Sequence, residues 1–403
     1  LVSLVNTTGL LGRLPQGATA TILAPNNNAF NALGEEALAF YTDPANVDAL
    51  VAVLLNHVIV DVVVPAENLV NNTEVETART TLSVSITDEG VFFDEAKVVQ
   101  ADLLANDGII HVIDKVLVEP TLAELVSGEE DLSTVVNAIT SVGFTDLLAD
   151  PLAGPFTIFP PLNSAFDALV EEDPVVAGRV FTDSGFVTHL KNLLNFHAVV
   201  DAAVLSTQLT DGMVVTAANN ENFTVSVNGP APTITLTSPN TEGAIVVQPD
   251  QTASNGVAHV LDAVLLPAFW TTTIVDAAVG APVSLSPRLE LVASSDLLAG
   301  VPEGTVLTIL APTNEAFSAL GNETLTNLTD PMNNATLTEI LSNHVLFNAT
   351  VPSELLTDGE TVKALSGLTL AVAIDGEKVM FNDATVLYPD LLANDGILHV
   401  IDK

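Results

Sequence analysis

The chain has 403 residues, 48% of them apolar, and sets 10 Lys+Arg against 50 Asp+Glu for a formal charge of −40. So acidic a surface repels phosphate backbones and anionic lipid headgroups, which argues against nucleic-acid binding and electrostatic attachment to membranes. There is no Cys, so disulfides, thiolate metal sites and Cys nucleophiles are excluded.

Repetition organises what remains. A first landmark, Thr21-Ile22-Leu23-Ala24-Pro25 leading to Ala29-Phe30, returns from Thr157 to Phe166 and from Thr308 to Phe317. A second, Leu54-Leu55-Asn56-His57-Val58, returns as Leu194-Asn195-Phe196-His197-Ala198 and Leu341-Ser342-Asn343-His344-Val345. The third, Asn106-Asp107-Gly108-Ile109-Ile110-His111-Val112-Ile113-Asp114-Lys115, returns from Asn394 to Lys403 and more loosely from Ser254 to Ala263. The units are about 140 residues long, a domain size and too long for solenoid repeats. The expected domains are 1–119, 120–267 and 268–403, parted at Glu119-Pro120 and Pro267-Ala268.

In chain order, Thr21–Ala24 reads as a short buried strand ended by Pro25, with Asn27 or Asn28 capping a helix that places Phe30, Leu33 and Leu38 on one side. Asp43-Pro44 starts the next helix, whose spacing puts Val47, Leu50, Val51, Leu54, Leu55 and His57 together. Phe186, Leu190, Leu193, Leu194 and His197 make the same face in repeat two, as do Leu337, Ile340, Leu341 and His344 after Asp330-Pro331 in repeat three. The apolar stretch from Ala49 to Val64 is interrupted by Asn56, His57 and Asp61, so it is read as core and no membrane insertion is expected. Alternating strands follow: Leu82, Val84 and Ile86 before Asp88-Glu89-Gly90; Phe223, Val225 and Val227 before Asn228-Gly229-Pro230; Leu368, Leu370 and Val372 before Asp375-Gly376. Helices followed by antiparallel strands predict an α+β domain. Repeat one starts inside a helix-like pattern (Leu1, Leu4, Val5) and repeat three stops where repeat one continues, so both ends are expected to be truncated.

Six of the 7 His hold repeated positions: His57, His111, His197, His259, His344 and His399. One His per helix and one per strand, among Leu, Val and Ile, reads as structural, each ring bonding a backbone group. No nucleophile elbow, P-loop, zinc or calcium-loop motif occurs, so no catalytic residue or cofactor is expected and the chain is read as a non-enzyme. Glu129-Glu130 and Glu171-Glu172-Asp173 could hold Ca²⁺ weakly but read first as solvated faces. Asn-x-Ser/Thr sequons at Asn6, Asn71, Asn222, Asn322, Asn327, Asn334 and Asn348 are N-glycosylation candidates and point to a secreted protein.

The three landmarks, in order in all three units, resemble the marks of fasciclin domains. The resemblance implies a wedge-like β-sandwich with packed helices in each of three tandem domains. It implies an extracellular or cell-surface role in adhesion or matrix organisation. The partners it implies are other fasciclin domains or copies of the chain, matrix glycans and cell-surface receptors. Some members bind integrins through an Asp-Ile pair before the last His segment. Asp102-Leu103 and Asp390-Leu391 are near matches, and repeat two departs with Asp250-Gln251. Leu103 and Leu391 read as core residues on pattern alone. The Tyr that often precedes the central His is replaced by Asn56, Phe196 and Asn343. Other fasciclin-like proteins bind pigments, which gives the alternative of a soluble carrier for an apolar ligand.

Overall fold

The computed structural model describes residues 4–5, 8, 19–229, 233–283, 302, 304–328 and 330–403. In repeat one, β1 (Ala20–Pro25) leads into α1 (Asn27–Ala32), α2 (Glu35–Thr42) and α3 (Val47–Leu55). Then come β2 (Val58–Val60), β3 (Thr73–Glu76), β4 (Thr81–Thr87), β5 (Gly90–Phe93), β6 (Ala96–Ala105) and β7 (Gly108–Ile113). Repeat two adds α4 (Leu122–Ser127), α5 (Ser133–Ser141) and α6 (Thr145–Ala149) before β8 (Phe156–Ile158). It continues with α7 (Asn163–Glu172), α8 (Pro174–Thr182) and α9 (Val187–Phe196). Its remaining strands are β9 (Ala198–Val199), β10 (Val214–Thr216), β11 (Asn222–Asn228), β12 (Thr233–Ser238), β13 (Thr241–Ala253) and β14 (Gly256–Leu261). Repeat three runs α10 (Ile274–Val279), β15 (Leu307–Pro312), α11 (Asn314–Ala319), α12 (Asn322–Leu328) and α13 (Asn334–Ser342). It closes with β16 (Val345–Phe347), β17 (Thr361–Lys363), β18 (Thr369–Asp375), β19 (Lys378–Phe381), β20 (Ala384–Ala393) and β21 (Gly396–Ile401).

Among the described residues, each repeat forms one seven-stranded sheet of the same order, β2-β1-β7-β6-β5-β4-β3 in the first. The strands after the helices pair antiparallel, as the pattern predicts, and the strand before them makes the sheet mixed. The first strand lies parallel to the last, Thr21 opposite Ile109 and Thr308 opposite Ile397. The helices carry the chain across between β1 and β2, so β1 is left free to receive the far end of the repeat on its other edge. The long strand β6 is shared, pairing with β5 at one end and with β7 at the other, and its register shifts between Val98 and Leu103.

The helix starts follow local chemistry with one displacement. The cap of α1 is Asn26, whose side chain accepts from the Ala29 N–H, not Asn27 or Asn28, because those residues are already helical. Asp43 caps a 3₁₀ turn over Pro44–Asn46 that feeds α3, and the Asp330 carboxylate accepts from the Met332 N–H at the same place in repeat three. The expected apolar sets close the cores: Leu50, Val51 and Leu54 in repeat one, Phe186, Leu190 and Leu193 in repeat two, Leu337 and Leu341 in repeat three. Leu368 lies just before β18 and is exposed. The Thr87 to Gly90 pairing puts Asp88-Glu89 at the tip of the first hairpin; Pro230 of the second lies outside the described residues. No helix among those residues is long and apolar enough to cross a membrane.

By compactness the chain divides into two units, one of residues 1–124, 148–154 and 252–255 and one of residues 125–147, 155–251 and 256–403. Within the first, the Asn255 side chain accepts from the Leu122 N–H at the start of α4, and within the second the Asp395 carboxylate does the same for Ile274 at the start of α10. In repeats two and three the polar turn before the last strand therefore fastens the first helix of the same repeat.

Glycine at the head of the last strand is a steric necessity. A Cβ on Gly396, at φ +155°, would stand 1.9 Å from the Leu307 carbonyl oxygen, and one on Gly108 would stand 1.8 Å from that of Ala20. Gly396→Ala should therefore destabilise the third repeat by about 3 kcal/mol or more in urea unfolding. Gly359→Ala, at φ +81° in open space, should cost about 1 kcal/mol. Equal losses would contradict the role of backbone contact.

Candidate functional site

The repeated polar side chains converge on one loop in each repeat. In repeat one the Thr21 hydroxyl donates to the Val62 carbonyl at 2.8 Å and accepts from the Val64 N–H at 2.9 Å. His111 Nε2 donates to the Val64 carbonyl at 2.9 Å, and its Nδ1 accepts from the Asp102 N–H at 3.3 Å. The Asp102 carboxylate accepts from the Ala66 N–H at 2.9 Å. Repeat two builds the same set from Thr157, His259 and Asp250 around residues 202–206, with His259 Nε2 2.8 Å from the Val204 carbonyl. Repeat three builds it from Thr308, His399 and Asp390 around residues 349–353. Ser206 and Ser353 hydroxyls also donate to Asp250 and Asp390.

The aspartates stand at φ +60°, +56° and +58°, and in the first and third repeats this is where the long strand shifts register. Asp tolerates this left-handed region better than bulky residues do. The bulge turns each Asp N–H towards the imidazole and each carboxylate towards the loop. Repeat two, whose Asp250-Gln251 breaks the Asp-apolar pattern, keeps both contacts. The Asp residue thus holds the loop in all three repeats whatever follows it.

Thr, His and Asp together suggest a nucleophile, a base and an orienting acid, but the geometry does not connect them as such. Each Thr hydroxyl is bonded to loop backbone and not to the imidazole, and each imidazole is bonded to backbone through both nitrogens. Phe93, Phe159 and Phe381 lie beside the three rings, with centroids 5.5–6.3 Å away.

The helix histidines use the opposite tautomer. His57 Nδ1 donates to the Val53 carbonyl at 2.7 Å while Nε2 accepts from the Leu117 N–H at 2.9 Å. His197 repeats this with Leu193 and Leu265, and His344 Nδ1 donates to the Ile340 carbonyl. Burial drives His57 and His197 down to about 4, against a smaller opposing pull from the accepted carbonyl bonds. The same desolvation lowers His259, His344 and His399.

Leu103 is not a core residue: at the bulge it is 36% exposed, and Leu104 beside it is 88% exposed. Leu391 is half-buried against the core of repeat three. Among the sequons, Asn71, Asn222, Asn322, Asn327 and Asn348 are exposed and Asn334 is half-buried in α13; Asn6 lies outside the described residues. Asn56 is buried with Nδ2 donating to the Leu117 carbonyl, and Phe196 packs edge-on to Phe223. Asp173, the last of an acidic run, caps α8 through the Val176 N–H. No cluster of three or more His, Asp or Glu side chains placed to hold a metal occurs among the described residues.

Lowered histidines tie stability to pH. The unfolded rings take up protons near 6.5 and the folded rings only near 4, so stability is full above pH 6.5 and is lost as pH falls through that window. Between pH 7.5 and 5, His57 and His197 should each remove about 2 kcal/mol, read as a lower urea midpoint in about 0.5 M salt to screen the carboxylates. A midpoint that does not move would contradict burial of neutral rings.

The fasciclin-domain family model matches residues 1–119, 130–267 and 284–403. Transforming growth factor-beta-induced protein ig-h3 of Oryctolagus cuniculus is 28% identical over 388 residues, 95% of this chain and 52% of its own length. The Sus scrofa protein of the same name is 31% identical over 277 residues, 67% of this chain and 38% of its own. The chain thus spans about half or less of these relatives. A solved FAS1 domain pair from the insect cell adhesion molecule Fasciclin I covers 66% of this chain and 93% of that one, at 21% identity and a TM-score of 0.39. With three family matches covering nearly the whole chain and the same sheet order in each repeat, the chain belongs to the fasciclin-domain family.

Proposed function

We propose that the chain is an extracellular adhesive or matrix protein whose three fasciclin domains make contacts with cell surfaces, matrix glycans or further copies of the chain. Family membership of every repeat supports this role. The observation that carries it is the contrast at the bulge: the polar side chains are engaged by the loop backbone, while Leu103 and Leu104 stand out into solvent. Exposed apolar side chains beside a rigid backbone feature are what a protein partner can bury. Secretion and N-glycosylation at the exposed sequons belong to the same reading. Ca²⁺ enters at most as a weak surface counter-ion of the excess carboxylates, and the surface serves contact and not catalysis.

The carrier alternative has less behind it. The apolar enclosure between Phe30, Tyr41, Leu50 and His57 has about 10 Å³ free, roughly room for one water. A cleft of about 610 Å³ in the second compact unit sets Lys191, Glu221, Asp276 and Asp390 among apolar neighbours such as Phe269 and Leu392, and an apolar cargo would have to desolvate those charges.

Coated on a surface, the chain should hold integrin-bearing cells above an albumin control. Leu103→Ala with Leu104→Ala should lower attachment several-fold while leaving the urea midpoint within about 0.5 kcal/mol of the parent. Attachment no better than albumin for the parent chain would contradict the adhesive reading. A colourless, ligand-free native preparation would count against the carrier.

A further inference from the structure

One histidine stands outside the repeated pattern. His189 lies on α9, eight residues before His197, where the same offset gives Ala49 in repeat one and Thr336 in repeat three. Its ring is buried between Phe186 and Phe269, with centroids 4.4 and 5.0 Å away. Nε2 donates to two carbonyls of repeat three, Ala393 at 3.0 Å and Gly396 at 3.1 Å, and Nδ1 is buried with no hydrogen-bond partner.

The two carbonyls flank the turn Asn394-Asp395, and other repeat-two residues hold the same region. Arg179 of α8 donates from Nη1 to the Asn394 carbonyl at 2.7 Å and from Nη2 to the Gly304 carbonyl at 2.8 Å. Thr188 and Lys191 of α9 both bond Glu354 of repeat three. Gly185 runs so close to repeat three that a Cβ there would be 2.9 Å from the Thr350 carbonyl oxygen. In a chain with 10 Lys+Arg in all, two are spent on this junction.

We propose that His189 is the pin of an acid-released latch between the second and third repeats. In the closed pair, the ring must be neutral with its proton on Nε2. A second proton has to go on Nδ1, where it meets aromatic and aliphatic surface and no acceptor. Opening the pair exposes Nδ1 to water, so protonation favours the open pair. The charges facing the ring are few. Asp390, from the bulge of β20, favours the imidazolium, whereas the other neighbours are Arg179 and the carboxylates Asp395 and Glu354, already bonded to Ile274 and Lys191. Desolvation outweighs these and holds the closed ring at about 4. With an exposed ring near 6.5 in the open pair, the closed-to-open ratio falls roughly thirty-fold between pH 7.5 and pH 5.

The absence of Cys makes the test direct. The full chain with Glu171→Cys and Glu377→Cys, both at exposed positions, carries a donor and an acceptor dye, one on each repeat. Energy transfer should be constant above pH 7 and change between pH 6.5 and 4.5 while far-UV circular dichroism stays native. His189→Gln keeps a donor and cannot titrate, so its transfer should stay flat through the same window. A parent chain that stays closed until its domains unfold overturns the latch, as does a His189→Gln chain that opens at the parent's pH. Should His189→Gln fail to fold, Arg179→Gln decides: an opening midpoint moved to higher pH supports the latch, and an unmoved midpoint overturns it.

Discussion

Each repeat depends on an imidazole buried between two backbone groups and bonded to both. The last strand carries it, the bulged strand offers an N–H to one side, and the loop after the second strand offers a carbonyl to the other. Irregular backbone buried in this way is costly unless its polar groups are paired. Thr21, Thr157 and Thr308 complete the arrangement by bonding the same loops from the first strand. The parallel pairing of first and last strands then follows, because it is what brings hydroxyl and ring to one loop. So does the glycine at the strand head, which lets the chain pass against the carbonyl of the first strand.

This arrangement has a consequence for activity. A His-bearing strand beside Thr and Asp is a familiar prelude to catalysis, yet here the members bond loop and strand backbone, with Ser206 and Ser353 adding to two of the aspartates. What the repeats present outward is an acidic surface with apolar side chains raised on the bulge of the first repeat. In the third repeat Leu391, which corresponds to Leu103, packs against the core that includes Ile274 and Ala278 of α10. The same structural device therefore yields different surfaces, according to what packs on the bulged strand. Identical internal chemistry thus comes with differing exteriors.

Much of the fold was legible in the sequence. The period was spelled out by Asn-Asp-Gly before the last strand, by Ala-Phe after the first, and by His after the helix, and these landmarks gave the domains, the helix faces and the structural histidines. The parallel pairing was not legible, because hydrophobic alternation reports which face is buried and not which strand lies alongside. The bulge was missed for a related reason. Asp102 next to Leu103 looks like an ordinary alternation, and nothing local announces the positive φ that turns Leu103 outward. The Thr of the first landmark passed for a strand former, although its recurrence at Thr21, Thr157 and Thr308 was a signal that could have been used. His189 was visible as the odd histidine out, but its partners lie more than 200 residues further on, beyond any motif.

The central claim is that the repeated histidines are structural, each ring fixed in one tautomer by hydrogen bonds to backbone. Nitrogen-15 correlation spectra of the imidazole rings at pH 7 test it most directly. The account predicts His57 and His197 protonated on Nδ1, with shifts unchanged between pH 8 and 6, and His111, His259 and His399 protonated on Nε2. A repeated ring that exchanges between tautomers, or a His57 or His197 that titrates within that range, would contradict it.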